Sequence, residues 1–347
     1  MEYRKLGNTD IDVSVICLGT MTWGQQNTEE EGFEQMDYAV DQGVNFFDTA
    51  ELYSIPPMED TQGSTETIIG NWFEKRGNRE KIILATKVAG PMRSYVRGGG
   101  NQFGIKNLTE AIDGSLKRLQ TDYIDLYQLH WPNRGSYHFR AYWNYKPVKQ
   151  YSKNITDEFL DIISTLNDFK KEGLIRAIGV SNETCWGVMK LNEIIKEIEN
   201  LCITSIENEY SLMCRLFDND FNELSINENI PLLAYSPLAR GLLTGKYIGN
   251  KIPLGSRLSR DDKIRKIVNE NSDLAVKSYY SLADKYNIDP VHMSLAFCNE
   301  RPFMGSVIFG ATNIKQLRKI LAGINLKLDS EINDEIQMLY KKFPLTF

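Results

Sequence analysis

Ile124-Asp125-Leu126-Tyr127-Gln128-Leu129, then a helical pattern carrying Leu160, Ile163 and Leu166, then Ile175-Arg176-Ala177-Ile178-Gly179-Val180: this stretch decides the architecture. Both short runs are mostly apolar, as parallel strands covered on two faces should be. The pattern between them is opened by Thr156-Asp157-Glu158. It is closed by Lys170-Lys171-Glu172-Gly173, a basic last turn followed by glycine. Strand, helix and strand at this spacing predict one βαβ unit.

The same alternation extends in both directions. Val15–Leu18, Val44–Phe47 and Ile82–Ala85 precede the unit, and Ile203–Ile206, Pro231–Tyr235 and Gly305–Phe309 follow it, which makes eight strands. Helical patterns fill the gaps, one opened by the capping box Thr28-Glu29-Glu30-Glu31 and another placed after Thr109, with Ile112, Leu116 and Leu119. Eight strands alternating with helices over 347 residues predict an α/β fold, a (β/α)8 TIM barrel, with residues 1–347 forming a single domain. A doubly wound sheet would carry a G-x-G-x-x-G turn after its first strand, and the chain contains none. Residues 1–14 read as a β-hairpin leading into the barrel. Two long segments, an aromatic one at 131–155 and a basic, glycine-punctuated one at 237–270, follow strands and so belong to the C-terminal face, where barrel chemistry sits.

Composition removes other classes. With 42% hydrophobic residues, 25% charged ones and a net charge of −6, the chain folds and offers no basic footprint for nucleic acid or an anionic membrane. No apolar run approaches the roughly 18 residues that span a bilayer, and MEYRKLGNTD has no apolar signal core. Five scattered cysteines without a CxxC pair read as reduced thiols of a cytoplasmic protein. Three histidines without a His-x-His pair argue against a metal-dependent hydrolase built on His130, Asp48 and Glu207.

Reading the strand ends brings out an Asp, a Tyr, a Lys and a His. They are Asp48 and Tyr53 after the second strand, Lys87 after the third and His130 after the fourth. Singly each has an ordinary reading: a helix cap, a packing ring, a solvated amine, a satisfied buried imidazole. Together they make chemical sense. A phenol with a pKa of about 10 is a poor acid near neutral pH, and a neighbouring ammonium pulls that value down. A carboxylate keeps the ammonium charged and aimed, and an imidazole can hold a carbonyl oxygen. Such a set delivers a proton to an oxygen that is becoming an alcohol.

At this point the sequence resembles the aldo-keto reductases, in the branch that holds bacterial Tas-like proteins and potassium-channel β-subunits. The resemblance is carried by Leu18-Gly19-Thr20-Met21-Thr22-Trp23-Gly24, Asn45-Phe46-Phe47-Asp48-Thr49-Ala50-Glu51-Leu52-Tyr53, Leu84-Ala85-Thr86-Lys87, Asp122 to Trp131, Ile178-Gly179-Val180-Ser181-Asn182, Tyr235 to Lys246 and Gly310-Ala311-Thr312-Asn313. It implies a tetrad of Asp48, Tyr53, Lys87 and His130, with Tyr53 as general acid/base, Lys87 and Asp48 tuning it, and His130 orienting the carbonyl. It implies an NADP(H) cofactor, NAD(H) being the alternative, and reduction of a small aldehyde or ketone. By the same resemblance Thr20, Met21 and Asp48 flank the cofactor. Ser181, Asn182 and Glu207 take its carboxamide, Tyr235 stacks on its ring, and Ser236, Pro237, Leu238, Gly241, Lys246 and Arg257 hold its phosphates. Gly310, Thr312 and Gln316 complete the adenine end. Substrate would meet Trp23, Tyr53, His130 and Trp131.

Two positions depart from the family pattern. Glu207 stands where Gln is usual, and a carboxylate accepts hydrogen bonds but cannot donate them. Lys319 and Ile320 replace a Glu-Asn pair near adenine, and Lys315, Arg318 and Lys319 serve either a 2′-phosphate or a solvated helix face. The resemblance also raises a cofactor-binding regulatory subunit with little turnover. Channel β-subunits, however, carry Asn where this chain has His130, which favours an enzyme.

Overall fold

The computed structural model describes residues 1–91, 95–99, 103–149, 151–198, 201–260 and 262–347, so positions 150 and 261 of the two long segments lie outside the described residues. Two strands, β1 (Tyr3–Lys5) and β2 (Asp12–Ser14), form the expected antiparallel hairpin. Eight more form a closed parallel barrel: β3 (Ile16–Gly19), β4 (Phe46–Asp48), β5 (Ile83–Val88), β6 (Ile124–Leu129), β7 (Ile175–Ser181), β8 (Ile203–Glu209), β9 (Leu232–Tyr235) and β10 (Met304–Phe309). Closure is made by β10 against β3, with Val307 opposite Ile16 and Phe309 opposite Leu18.

Side-chain alternation sorts the strands into layers. Cys17, Phe46, Ala85, Leu126, Ala177, Leu233 and Ile308 point inward and meet Leu6, Ile11 and Val13 of the hairpin, which plugs the N-terminal end. Two residues further along their strands come Asp48, Lys87, Gln128 and Tyr235. The outward faces join a much larger cluster with the helices, including Phe47, Trp72, Leu84, Ile112 and Leu166.

The helices between strands are α1 (Glu29–Asp41), α2 (Ser64–Arg76), α3 (Ile105–Leu119), α4 (Ser152–Lys171), α5 (Cys185–Ile195) and α6 (Asp220–Glu228). After β9 come α7 (Asp262–Arg265), α8 (Glu270–Lys285) and α9 (Pro290–Asn299), and after β10 come α10 (Ile314–Ala322) and α11 (Ser330–Lys342). The capping box at Thr28 forms in both directions. Thr109 and Thr156 lie inside their helices instead, because α3 and α4 each start four residues earlier. The Thr109 hydroxyl bonds back to the Ile105 carbonyl, the usual resting place for a helical threonine. Among the described residues no helix is long and apolar enough to cross a membrane.

Candidate active site

Strand ends β4, β5, β6 and β8 put one polar side chain each on the barrel's inner face, at the floor of a cavity of about 1480 Å³. Lys87 is fully buried, and its ammonium lies 2.7 and 2.6 Å from the two carboxylate oxygens of Asp48. It also donates to the Thr49 carbonyl at 3.0 Å and sits 3.3 Å from Glu207 Oε1. Gln128 Nε2 donates to Glu207 Oε2 at 2.8 Å and reaches Asp48 Oδ1 at 3.4 Å. Tyr53 stands above this cluster, with its ring centroid 5.1 Å from the Lys87 ammonium and 5.7 Å from the His130 ring, which meets it edge-on. All four residues of the expected tetrad are thus in one place.

Burial sets the protonation states. The Tyr53 phenol is pushed up, because loss of water around a phenolate outweighs the downward pull of Lys87. Lys87 does lower the phenol, as an adjacent ammonium should, but burial is the larger effect. His130 is pushed well below its ordinary value by burial and then by Lys87, so the imidazole is neutral. Asp48 is pushed well up, by burial first and then by the charge of Glu207.

Most of the expected cofactor residues line the same cavity: Thr20, Met21, Asp48, Asn182, Glu207, Tyr235, Ser236, Pro237, Leu238, Gly241, Lys246, Arg257, Gly310, Thr312 and Gln316. Ser181 does not. Its hydroxyl donates to the Glu207 carbonyl and accepts from Asn182 Nδ2, so it braces Asn182 from behind. Asn182 also accepts from the Tyr235 hydroxyl at 2.8 Å. Ser236, Ala239, Arg240 and Gly241 all have positive φ, the backbone from which anion-binding nests are made. The side chain of Arg257, half-buried on the cavity wall, makes no hydrogen bond or close ion pair among the described residues. Burial and the neighbouring Arg240 push its guanidinium down to about 10. Lys319 reaches the cavity edge but is paired with Asp289 at 2.8 Å, which cancels much of its charge.

Of the residues expected to meet substrate, Tyr53, His130 and Trp131 line the cavity, whereas Trp23 does not. Its ring is fully buried against α1, where a Cβ on Gly32 would come within 3.3 Å of it. The loop after β6 supplies Phe139 to the wall instead, beside Ile55, Pro56 and Pro57 from the loop after β4. Sequence reasoning also passed over Gln128. The signal was present: a polar residue two places after inward-facing Leu126 in an otherwise apolar strand must share the interior. Arg240, on the wall and 3.7 Å from the buried Glu209, had no comparable signature. Among the described residues no group of three or more His, Cys, Asp or Glu could hold a metal ion.

Comparison with known proteins agrees with this architecture. The Aldo/keto reductase family profile matches residues 15–341. Protein tas of Escherichia coli (strain K12) is 39% identical, over 99% of both chains. The uncharacterized oxidoreductase YrpG of Bacillus subtilis (strain 168) is 32% identical, over 99% of this chain and 96% of that one. A probable voltage-gated potassium channel subunit beta of Arabidopsis thaliana is 27% identical, over 99% and 98%. With the barrel closed as that family requires and the profile spanning nearly all of it, the chain is an oxidoreductase belonging to the aldo/keto reductase family.

Proposed function

We propose that this chain is an NADP(H)-dependent carbonyl reductase that turns an aldehyde or ketone into an alcohol, with Tyr53 as proton donor. The observation that carries the reading is the convergence of Tyr53, Asp48 and His130 at the floor of one cavity, with Lys87 directly beneath them, while the wall holds Arg257, whose guanidinium makes no hydrogen bond or close ion pair among the described residues. Three guanidiniums, Arg140, Arg240 and Arg257, act on the one carboxylate of Glu209, so the half-buried Arg257 side chain calls for a further anion, and a nucleotide phosphate is one that this cavity is large enough to take. The residues present fit such a group: Arg257, Lys246 and the positive-φ run for phosphates, Asn182 and Tyr235 for a ring amide.

A bound nicotinamide dinucleotide would supply the hydride. The protein's own residues do the rest. Neutral His130 offers a ring nitrogen to the substrate oxygen without adding charge. Tyr53, protonated at neutral pH, passes its proton to that oxygen as negative charge develops there. The Lys87 ammonium, fixed by Asp48, stabilises the phenolate left behind. Trp131, Phe139 and the prolines at 56 and 57 give the substrate an apolar wall, which suits aromatic or bulky aliphatic carbonyls. The cytoplasm, where NADPH is abundant and thiols stay reduced, is the fitting compartment.

Fluorescence titration with NADPH and NADH, followed by turnover of an aromatic aldehyde, tests the reading. Tight NADPH binding with carbonyl-dependent NADPH oxidation is expected. Binding without turnover would leave the regulatory subunit, and binding of neither nucleotide would remove both.

A further inference from the structure

The tetrad accounts for one carboxylate beside Lys87, yet the structure has two. Asp48 and Glu207 are both buried, at 3% exposure each, and Lys87 is at 0%. The ammonium contacts both, and Gln128 donates one amide group toward both. Among the described residues, the other titratable groups that face this cluster bring no compensating charge. They are Cys17 from β3, whose thiol burial pushes well up, Tyr53 and neutral His130 from the strand ends, and Tyr235 from β9, also pushed well up by burial. Two carboxylates with one ammonium therefore leave a buried site one negative charge out of balance. A buried uncompensated charge is expensive, and a carboxylate pair relieves it by keeping a proton. The upward displacement of Asp48, in which the charge of Glu207 follows burial, is in line with this.

We propose that Asp48 and Glu207 hold one proton between them beside Lys87, and that the pair releases it when positive charge arrives at the cavity floor. This rests on the reductase reading and deepens it. Reduction moves a hydride to the carbonyl carbon, shifts the C=O electron pair to oxygen and draws a proton from Tyr53. The phenolate then takes a proton from Lys87, and Lys87 takes the shared proton from the carboxyl pair. The pair is left doubly ionised, one charge more negative, which would offset the positive charge that a bound nicotinamide ring gains on giving up its hydride. The charge of the site is conserved through the step, and solvent refills the pair after product leaves. Glu207 acts here through Lys87 and is a positioning residue, not a catalytic one.

Two measurements test this. Calorimetric titration in two buffers of different ionisation enthalpy counts the protons released on binding NADP+ and on binding NADPH. The oxidised form should release about one proton more than the reduced form, and that difference should vanish in Glu207→Gln. Equal release by the two forms, or a difference that persists in Glu207→Gln, overturns the proposal. The second measurement needs no nucleotide. Infrared spectra of the protein at neutral pH should contain an un-ionised carboxyl band that Glu207→Gln removes, and absence of that change also overturns it. If neither nucleotide binds, the reductase reading fails. The infrared result then still decides whether the pair holds its proton.

Discussion

At the residue scale the chemistry turns on what burial does to each titratable group. Tyr53 is a stronger candidate for donor than for base, because its phenol is held above the ordinary value and stays protonated through neutral pH. The rate of carbonyl reduction should accordingly be flat across neutrality. It should fall only above the ordinary phenol range of about 10, since the active form is the protonated one and is lost as pH rises. A steady-state pH profile that falls near neutrality would contradict this. Tyr53→Phe removes the proton and keeps the ring, so NADPH affinity should be unchanged while turnover drops by about 10²–10⁴-fold. Retained turnover in that variant would take Tyr53 out of the mechanism. A second residue-scale test concerns Glu209. Burial pushes its carboxyl up, but Arg140, Arg240 and Arg257 together outweigh burial, so it titrates below the usual range. A carboxylate with a depressed folded pKa adds stability above its unfolded pKa and loses it as pH falls through the folded value. Arg140→Ala removes the partner 2.6 Å away, so acid unfolding followed by circular dichroism should begin at higher pH than in the parent.

At the element scale, the barrel depends on close approaches that no periodicity reveals. Helices α2 and α3 meet at Gly70, where a Cβ would lie 2.2 Å from the Arg118 carbonyl oxygen and 2.8 Å from the Leu119 carbonyl carbon. Backbone atoms cannot swing aside, so Gly70→Ala should cost about 1–3 kcal/mol or more, read as a lower denaturation midpoint. A neutral result would mean the helices separate freely. Arg118 also pairs with the buried Glu66 of α2, which accepts a hydrogen bond from Thr86 of β5, so helix packing and strand are tied at one point. The loop after β6 shows the same dependence. Its Tyr142 and Trp143 donate to the Phe347 carbonyl and Arg140 lies 4.1 Å from the Phe347 ring, which places Phe139 against Trp131 on the cavity wall.

At the scale of the whole molecule, ligand binding should couple to stability. With NADPH at about 100 times its Kd the folded state gains about 2.7 kcal/mol, seen as a raised melting temperature. Arg257→Ala should leave the melting temperature of the protein alone nearly as it was and abolish most of the NADPH-dependent rise. An equal rise in that variant would show that Arg257 does not meet the nucleotide.

The sequence by itself determined the barrel, its eight strands, the N-terminal hairpin and the four strand-end residues at the cavity floor. The strands and the hairpin follow from hydrophobic period and chain order, which are local properties, and the four residues follow from their places just after strands. Strand alternation even carried the clue to Gln128. Tertiary structure alone decided three things: that Trp23 packs under α1 and not on the cavity wall, that Ser181 turns its hydroxyl to a backbone carbonyl, and that Glu207 shares Lys87 with Asp48. Each depends on which groups from different elements meet once the chain has folded: Trp23 with α1, Ser181 with the backbone of the neighbouring strand, and Glu207 with Lys87 across the barrel interior. An aromatic ring, a hydroxyl or a carboxylate has the same local pattern whichever partner it finds, and only closure of the strands selects the partner.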